Sequence, residues 1–398
     1  MFSYKEAFPL KYLGGYITAG ILGAITWVLM HFGERFSSLV DMVYPYVIRT
    51  LQAILAQWSG GVDFLIWQLL AIVLVVVFLA ALVLVIVFKR SIISWAGWVL
   101  ATLTGIYLLH TMVYGMNYYA GPLADDIRME VAQYTLEELA DATTYYRDRA
   151  NILAEMVNRN GSGDVDFKDF EALAKEAGDG YEKLTYDRSF SVFAGSREPV
   201  KKLGLADMYT SMGITGYTFG LTGEAAVNPQ IPDVTLPFTM AHEMAHRMCI
   251  APERDANFAA YLACSVHPSV EFEYSGTFMA YIYCYNALSQ ISTQASAQAA
   301  KEINQGVSDL LRRDIAYYNT FFINHRDQAA TDFADSVNDT YLKTSGDKAG
   351  IASYGQVCDL LVNWHIQEIV LPSITVQEKL FDPYDETQVD LNGIVNAR

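Results

Sequence analysis

The segment from Phe64 to Phe88 contains no charged side chain and is almost entirely aliphatic. A helix needs about 20 predominantly apolar residues to cross the hydrocarbon core of a bilayer. A helix on the surface of a water-soluble domain needs a polar face, which this segment lacks. We therefore predict that the segment crosses a membrane, which places part of the chain in lipid.

Two further stretches are long enough to cross a bilayer. Residues 12–33 and residues 91–113 carry no charged side chain. The first stretch is not followed by the small-residue cleavage site of a secretory signal peptide, so we expect it to remain in the protein. The sequence thus predicts a membrane domain over residues 1–113, with the lipid bilayer as its partner and transmembrane helices at about 12–33, 64–88 and 91–113.

The basic residues beside these stretches predict their orientation. Lys5 and Lys11 precede the first stretch, and Lys89 and Arg90 form the turn between the second and the third. Basic residues concentrate in the cytoplasmic loops of membrane proteins. We therefore expect the N-terminus and this turn on the cytoplasmic side of the cell membrane. The amphipathic loop 34–62 and the large C-terminal part of the chain are expected outside the cytoplasm.

The part of the chain after the last span is strongly acidic. The whole chain has a net charge of −17, whereas residues 1–113 contain six basic and four acidic side chains. The remaining residues therefore carry a net charge of −19. The phosphate backbone of a nucleic acid repels such a surface, so we expect no nucleic-acid partner.

The pattern after residue 113 predicts a mainly α-helical domain with a small sheet over residues 114–371. Apolar residues recur at helical spacing in most of it, whereas residues 212–221 are rich in Gly, Thr and aromatic side chains, as is typical of a strand or hairpin. The predicted helices cover 125–157, 237–249, 253–266, 272–293 and several segments between about 296 and 371. The tail 372–398 lacks such a pattern, and we expect it to be loosely held.

Residues 158–169 connect two predicted helices and loosely match a calcium-binding loop. The first position of the match is Asn158 rather than Asp, and the last is Asp169 rather than Glu. The composition is also that of an ordinary turn-rich connection. We favour a polar connection, with calcium binding as the alternative.

His242, Glu243 and His246 carry the clearest chemical signal in the sequence. Side chains four positions apart lie on the same face of a helix, so both imidazoles can reach one metal ion. The glutamate beside them can accept a proton from a metal-bound water molecule. Because the chain has only seven histidines, this spacing is rare by chance. The pattern predicts a zinc site with His242 and His246 as ligands and Glu243 as the general base.

A third protein ligand is expected after His246. The metzincin pattern requires Gly and His three and six residues later, but Cys249 and Pro252 stand there. Glu253 begins the next predicted helix, and we favour it as the third ligand. Asp255 is the alternative, although its side chain is shorter and points about 200° round the helix from Glu253.

The segment from Gly223 to Cys264 resembles a bacterial membrane family known as domain of unknown function 3810, which is grouped with the gluzincin-like zinc metallopeptidases of the peptidase MA clan. The resemblance extends over most of the chain and implies a zincin-like, mostly helical α+β peptidase domain. The Glu-x-x-Ala-Asn element that begins at Glu253 is similar to that of other gluzincins. It supports Glu253 as a ligand and Asn257 as a residue that orients the site. We expect Asp255 to help orient the site if it is not itself the ligand.

A peptidase transition state also needs a hydrogen-bond donor to the developing oxyanion. Tyr217, Tyr274 and His267 are candidates for this role. Each also has a structural interpretation, since the tyrosines can be ordinary packed residues and His267 can end a helix. Cys249 lies near the ligands in sequence, and we expect it to be a buried small residue.

Together these patterns predict a membrane-anchored zinc metalloendopeptidase that acts on a peptide or protein substrate. The alternative is a zinc-containing membrane sensor or scaffold without peptidase turnover. Intramembrane proteolysis is disfavoured, because Pro237, Arg247 and the charged residues around Glu253 leave too short an apolar run for a span.

Overall fold

The apolar stretches near the N-terminus form helices in the computed structural model, which describes residues 12–347 and 356–372. This part of the chain contains α1 (Gly14–His31), α2 (Ser37–Val43), α3 (Arg49–Gly60), α4 (Ile66–Val87) and α5 (Ile92–Val113). Helices α1, α4, α5 and the nearly continuous segment Gly33–Gly60 are each long and apolar enough to cross a membrane. These helices are compatible with a membrane protein. Lys5, Lys11 and residues 373–398 of the predicted tail lie outside the described residues.

Helices α1 and α5 run parallel and pack closely. A Cβ atom on Gly15 would lie 2.3 Å from the carbonyl carbon of Gly97, so only glycine allows this approach. Further along both helices, the hydroxyl of Tyr107 lies 3.4 Å from the sulfur of Met30. Helix α4 runs in the opposite direction, because the turn at Lys89–Arg90 joins it directly to α5. The C-terminal ends of α1 and α5 and the N-terminal end of α4 therefore meet the rest of the protein together.

The loop predicted for residues 34–62 is instead largely helical. It consists of a 3₁₀ turn at Gly33–Phe36, helix α2, a π-helical turn at Tyr44–Ile48 and helix α3. Near its start, Asp41 accepts a hydrogen bond from the N–H of Gly121 at 2.8 Å. Near its end, the ammonium group of Lys201 donates to the carbonyl of Ser59 at 2.8 Å. Both ends of the segment thus contact the C-terminal domain.

The C-terminal domain is mainly helical and contains a three-stranded sheet among the described residues. Its helices are α6 (Leu123–Asp126), α7 (Leu136–Met156), α8 (Phe170–Glu176), α9 (Asp179–Asp187), α10 (Ala206–Ser211), α11 (Leu236–Arg247), α12 (Glu253–Ser265), α13 (Val270–Gln290), α14 (Gln294–Gln305), α15 (Asp309–His325), α16 (Gln328–Ser345) and α17 (Val357–His365). Its strands are β1 (Lys201–Lys202), β2 (Gly216–Phe219) and β3 (Glu224–Val227). The predicted strand region 212–221 therefore contains β2.

Helix α7 begins at Leu136, whereas the sequence pattern predicted a helix from residue 125 onwards. The hydroxyl of Thr135 accepts a hydrogen bond from the N–H of Glu138, and the carboxylate of Glu138 accepts one from the N–H of Thr135. This reciprocal capping box fixes the start of the helix. Upstream, the backbone of Ala132 exchanges two hydrogen bonds with the side-chain amide of Asn363 on α17, which a helix there would prevent.

The sheet has the strand order β1-β3-β2, with β1 parallel and β2 antiparallel to β3. Strand β2 is therefore an edge strand. Helix α11 packs against β2 and β3 on one side and against α12 and α13 on the other. Every residue of α11 is buried as a result. Its polar side chains lie inside the domain beside the sheet, where each needs a partner.

The connection at residues 158–169 is held by polar contacts within the protein. Arg159 pairs with Asp314 at 2.7 Å. The side-chain oxygen of Asn160 accepts hydrogen bonds from two backbone N–H groups of the loop, and that of Asp169 caps the start of α8. These contacts are typical of a polar connection between two helices, and calcium binding stays the alternative prediction.

Candidate metal centre

Two consecutive helices supply the residues of the candidate site. Helix α11 carries His242, Glu243 and His246, and helix α12 begins at Glu253 directly after Pro252. A proline at a helix start costs no hydrogen bond, because the first N–H groups of a helix have no partner within it. All four polar side chains are buried. The turn between the two helices therefore decides how the side chains meet.

This turn is a Schellman motif. The N–H of Cys249 donates to the carbonyl of His246 at 3.0 Å, and the N–H of Ile250 donates to the carbonyl of Ala245 at 3.1 Å. Cys249 has a φ of +72°, a left-handed conformation that the motif usually gives to glycine. The reversal places the carbonyl of Ile250 at 2.9 Å from Nδ1 of His246. Since a carbonyl only accepts, Nδ1 carries the proton and Nε2 of His246 is free to bind a metal ion.

The three candidate ligands converge on one point. Nε2 of His242 lies 3.3 Å from Oε2 of Glu253, and Nε2 of His246 lies 3.5 Å from the same oxygen. The two imidazole rings are 4.6 Å apart and nearly perpendicular. Within the described residues, this is the one group of at least three His, Cys, Asp or Glu side chains whose ligand atoms all lie within 4.8 Å of one another.

The electrostatics of this group favour a bound positive charge. Burial acts to raise the pKa of the Glu253 carboxyl, but the imidazoles of His246 and His242 outweigh it and hold that pKa well below its usual range. Burial also opposes protonation of His246, but Glu253 and Glu243 together raise the pKa of its imidazole to about 9. Side chains that stabilise a buried cation in this way can hold a divalent metal ion.

Glu243 lies next to the ligand group without belonging to it. The hydroxyl of Thr218 on β2 donates to Oε2 of Glu243 at 2.7 Å, and Gly216 on the same strand leaves the space that the carboxylate fills. Burial raises the pKa of Glu243, an effect that His242, His246 and Thr218 oppose. A buried carboxylate held beside two imidazoles is suited to accept a proton.

Tyr114 and Tyr341 are remote from the ligands in sequence, but both lie next to the site. Tyr114 directly follows α5, and its ring lies 6.4 Å from the ring of His246 in an edge-to-face arrangement. Burial, followed by the neighbouring Tyr341, Glu253 and Glu243, raises the pKa of the Tyr114 phenol well above its usual value. Nothing local distinguishes Tyr114 and Tyr341 among the 26 tyrosines in the chain, so their position beside the site could not be predicted from the sequence.

Of the two acidic candidates for the third ligand, only Glu253 joins the histidines. Asp255 accepts a hydrogen bond from a backbone N–H at the start of α6 at 3.0 Å and pairs with Arg254 at 2.9 Å. Asn257 lies one turn after Glu253 and accepts a hydrogen bond from the hydroxyl of Tyr283 at 3.3 Å. Its buried Nδ2 has no hydrogen-bond partner in the part of the chain that the structure describes.

The structure places the other predicted candidates in different surroundings. Tyr217 lies on β2, one residue before Thr218, and remains half-exposed. Tyr274 is buried and donates to Asp314. His267 stands near the opposite end of α12 from Glu253, and its Nε2 bonds to a backbone carbonyl at the end of α8. Neither Tyr274 nor His267 is therefore brought to the site, and Cys249 is buried outside the ligand group.

Comparison with known proteins identifies a family but no characterised relative. A family described as a protein of unknown function (DUF3810) matches residues 40–362 of the chain. The match contains α4, α5, the sheet and all of the candidate ligands. No curated protein and no solved structure matches the chain significantly.

Proposed function

We propose that this chain, which belongs to the family of proteins of unknown function (DUF3810), is a membrane-anchored zinc metalloendopeptidase. The observation that carries the proposal is the convergence of His242, His246 and Glu253, with Glu243 beside them. Two histidines of a His-Glu-x-x-His helix and a glutamate from a later helix are the zinc ligands of gluzincin-type peptidases. We therefore assign the C-terminal domain to the zincin-like enzymes of the peptidase MA clan.

The donor set fits a zinc ion. Zinc binds histidine nitrogen at about 2.0–2.1 Å and carboxylate oxygen at about 2.0–2.2 Å, so two ligand atoms of a tetrahedral site lie about 3.3–3.5 Å apart. The distances from Oε2 of Glu253 to Nε2 of His242 and His246 are 3.3 and 3.5 Å. The same oxygen is buried and accepts no hydrogen bond from the described residues. A cation at this point would satisfy it.

Glu243 is placed for the proton transfer that peptide hydrolysis needs. A bound zinc ion would act as a Lewis acid that activates water and polarises a peptide carbonyl. Glu243 accepts the proton of the attacking water, because Thr218 holds its carboxylate beside the ligands and outside their set. It then delivers a proton to the leaving amine nitrogen. Tyr114 and Tyr217 are our candidates for the hydrogen-bond donor to the oxyanion.

Strand β2 offers a place for the substrate main chain. It is an edge strand of the sheet and approaches Glu243 through Gly216 and Thr218. An extended peptide can add to a sheet edge through main-chain hydrogen bonds, which require no particular side chain. We propose that the substrate lies along β2, with its scissile carbonyl next to the ligands.

We further propose that the domain lies outside the cytoplasm. Lys89 and Arg90 are in the turn between α4 and α5, at the end of these helices that is remote from the domain. The positive-inside rule places such a turn in the cytoplasm and thus the domain on the other side. The two ends of the segment Gly33–Gly60 both contact the domain, so it does not add a crossing.

A second candidate function is a zinc-containing sensor or scaffold that does not turn over peptides. Full-length protein purified in detergent distinguishes the two, by its metal content and by its cleavage of a broad peptide library. We expect about one zinc ion per chain and measurable cleavage. Glu243→Gln is expected to keep the zinc and to lose cleavage by a factor of about 10²–10⁴, because its amide cannot accept the proton. Glu155→Gln is the matched control, because it makes the same change at an exposed position of α7.

Two results would contradict this proposal, one its peptidase function and the other its mechanism. In the first, the unsubstituted protein binds zinc but cleaves nothing in the library, which would favour the sensor or scaffold. In the second, Glu243→Gln cleaves as fast as the unsubstituted protein, which would remove Glu243 from the mechanism.

A further inference from the structure

The candidate metal centre lies at the end of a membrane helix. Tyr114 follows α5 directly, and its ring is 6.4 Å from that of His246. One turn earlier, His110 of α5 packs against Phe219 of β2 with ring centroids 6.4 Å apart. His110 also shares a hydrogen bond of 3.1 Å with the hydroxyl of Tyr341. The last turn of α5 therefore forms one wall of the site.

The start of α4 is fixed to the same sheet. The ring of Trp67, in the first turn of α4, packs against the rings of Tyr217 and Phe219 at 5.8 and 5.5 Å. The carboxylate of Glu224 on β3 accepts hydrogen bonds from the N–H groups of Ile66 and Trp67 at 2.8 and 2.9 Å. The edge strand along which we place the substrate thus lies level with the ends of two membrane helices.

The segment Gly33–Gly60 holds the domain close to the ends of these two membrane helices. Its inward face contacts the domain next to the ligands, where Nε of Arg49 donates to the carbonyl of Met248 at 3.2 Å. Its outward face exposes large apolar side chains, namely Leu39, Met42, Tyr46, Val47, Ile54 and Trp58. A helix with such a face lies in the plane of the membrane interface. The face is continuous in sequence with the start of α4, so the bilayer is the partner that covers it.

Resting on the proposed peptidase function, we infer that the substrate is a polypeptide anchored in the same bilayer and cleaved close to its own membrane span. The ring of Tyr114, the residue that follows α5, lies 6.4 Å from the ring of His246, and an extended chain advances about 3.3 Å per residue, so about five residues suffice to reach the ligands from the end of α5. A segment that leaves the bilayer beside α4 and α5 reaches the ligands within this length. The short distance between the ligands and the bilayer offers no advantage for binding a peptide that diffuses freely in water.

Proteoliposomes that contain the full-length chain provide the test. One substrate is a single-span polypeptide that carries a library-derived cleavage sequence about five residues from its span. A second has the same span and sequence separated by a Gly/Ser linker of about 30 residues, which moves the sequence away by on the order of 30 Å. The third is the free peptide. We expect the proximal substrate to be cleaved at least tenfold faster than the distal one, although both are concentrated in the same bilayer.

The outcomes separate this inference from the proposed function. Equal cleavage of proximal and distal substrates would leave the peptidase function intact and overturn the membrane-proximal specificity. Cleavage of none of the three would overturn the peptidase function itself and, with it, the inference.

A substitution on the outward face gives a second readout. Ile54→Glu places a charge on the face that we assign to the membrane interface. Ile152→Glu is the control, because it places the same charge at an exposed position of α7, away from that face. We expect Ile54→Glu to slow cleavage of the proximal substrate severalfold and to leave cleavage of the free peptide unchanged. Ile152→Glu is expected to change neither. Equal effects of the two substitutions on the proximal substrate would contradict the role of this face.

Discussion

A Cβ atom on Gly216 would lie 2.4 Å from Oε1 of Glu243. Strand β2 and helix α11 are therefore packed so closely that a methyl group cannot fit between the backbone and the carboxylate. Thr218, two residues along the same strand, donates to the other oxygen of Glu243 at 2.7 Å. The strand that we assign to substrate binding thus also fixes the position of the proposed general base.

Gly216→Ala is expected to displace the Glu243 carboxylate without disturbing the ligands. We expect at least a tenfold fall in kcat, because proton transfer depends on the position of the base, and an unchanged zinc content. Peptide cleavage and metal analysis of the purified variant measure both. Gly161→Ala is the control, since a Cβ atom there meets nothing within 4 Å. Full activity of Gly216→Ala would mean that Glu243 does not need its present position.

Glu253→Gln and Asp255→Asn are expected to differ in their effect on zinc binding. The first removes the charge that faces both imidazoles and should weaken zinc affinity by at least 100-fold. The second should keep about one zinc ion per chain but lower stability by about 1–3 kcal/mol, because the backbone N–H at the start of α6 loses a charged acceptor. Metal content after dialysis separates the two variants, and thermal unfolding measures the loss of stability in Asp255→Asn. Loss of zinc from Asp255→Asn alone would identify Asp255 as the ligand.

Zinc removal is expected to destabilise the C-terminal domain. A ligand present at about 1,000 times its Kd stabilises the state that binds it by about 4 kcal/mol. Chelation should therefore lower the unfolding temperature measured in detergent, and added zinc should restore it. Glu253→Gln should show no such response. An unfolding temperature that ignores both chelator and zinc would argue against metal binding at this site.

The buried ion pair between Glu224 and Lys201 is expected to hold α4 to the sheet. Glu224 accepts hydrogen bonds from Lys201, Thr222, Ile66 and Trp67, so four donors depend on one carboxylate. Glu224→Gln should cost about 3–5 kcal/mol, because it leaves a buried ammonium group without its counter-ion. The double variant with Lys201→Met should cost less than the sum of the two single changes. Strict additivity in thermal unfolding would contradict this coupling.

The orientation in the membrane is expected to be visible by thiol labelling. The four native cysteines are all buried, so the background reaction should be low. Met156→Cys lies on an exposed position of the domain, and Phe88→Cys lies at the turn between α4 and α5. A membrane-impermeant maleimide should label the first in intact cells and the second only after permeabilisation. The reverse pattern would place the domain in the cytoplasm.

Local patterns predicted the parts of this protein that depend on neighbours in sequence. The apolar helices α1, α4 and α5 lie within two residues of the predicted stretches, because length and hydropathy alone define them. The spacing of His242 and His246, and the helix start at Pro252, indicated the residues that the structure brings together. The predicted helix start at residue 125 is wrong, because the capping box at Thr135 makes α7 begin at Leu136.

Contacts between residues that are distant in sequence could not be predicted from local patterns. Thr218 and Glu243 are 25 residues apart, and no local pattern relates a threonine on a strand to a glutamate on a later helix. Tyr114 meets His246 only because α5 ends beside α11. Residues 34–62 are largely helical instead of the predicted loop, and their apolar and polar positions have the periodicity of a helix that lies along a surface.

The left-handed residue Cys249 has a consequence for how this site can vary among related chains. The turn reverses the chain within a few residues, so the number of residues between His246 and Glu253 determines where the Glu253 side chain lies. Inserting a residue at the start of α12 would rotate the following side chains by about 100° and carry the glutamate away from the imidazoles. Insertions and deletions should therefore be absent from this stretch in any chain that keeps the site. The fixed spacing from the second histidine to the glutamate can then serve to find such chains in genome sequences.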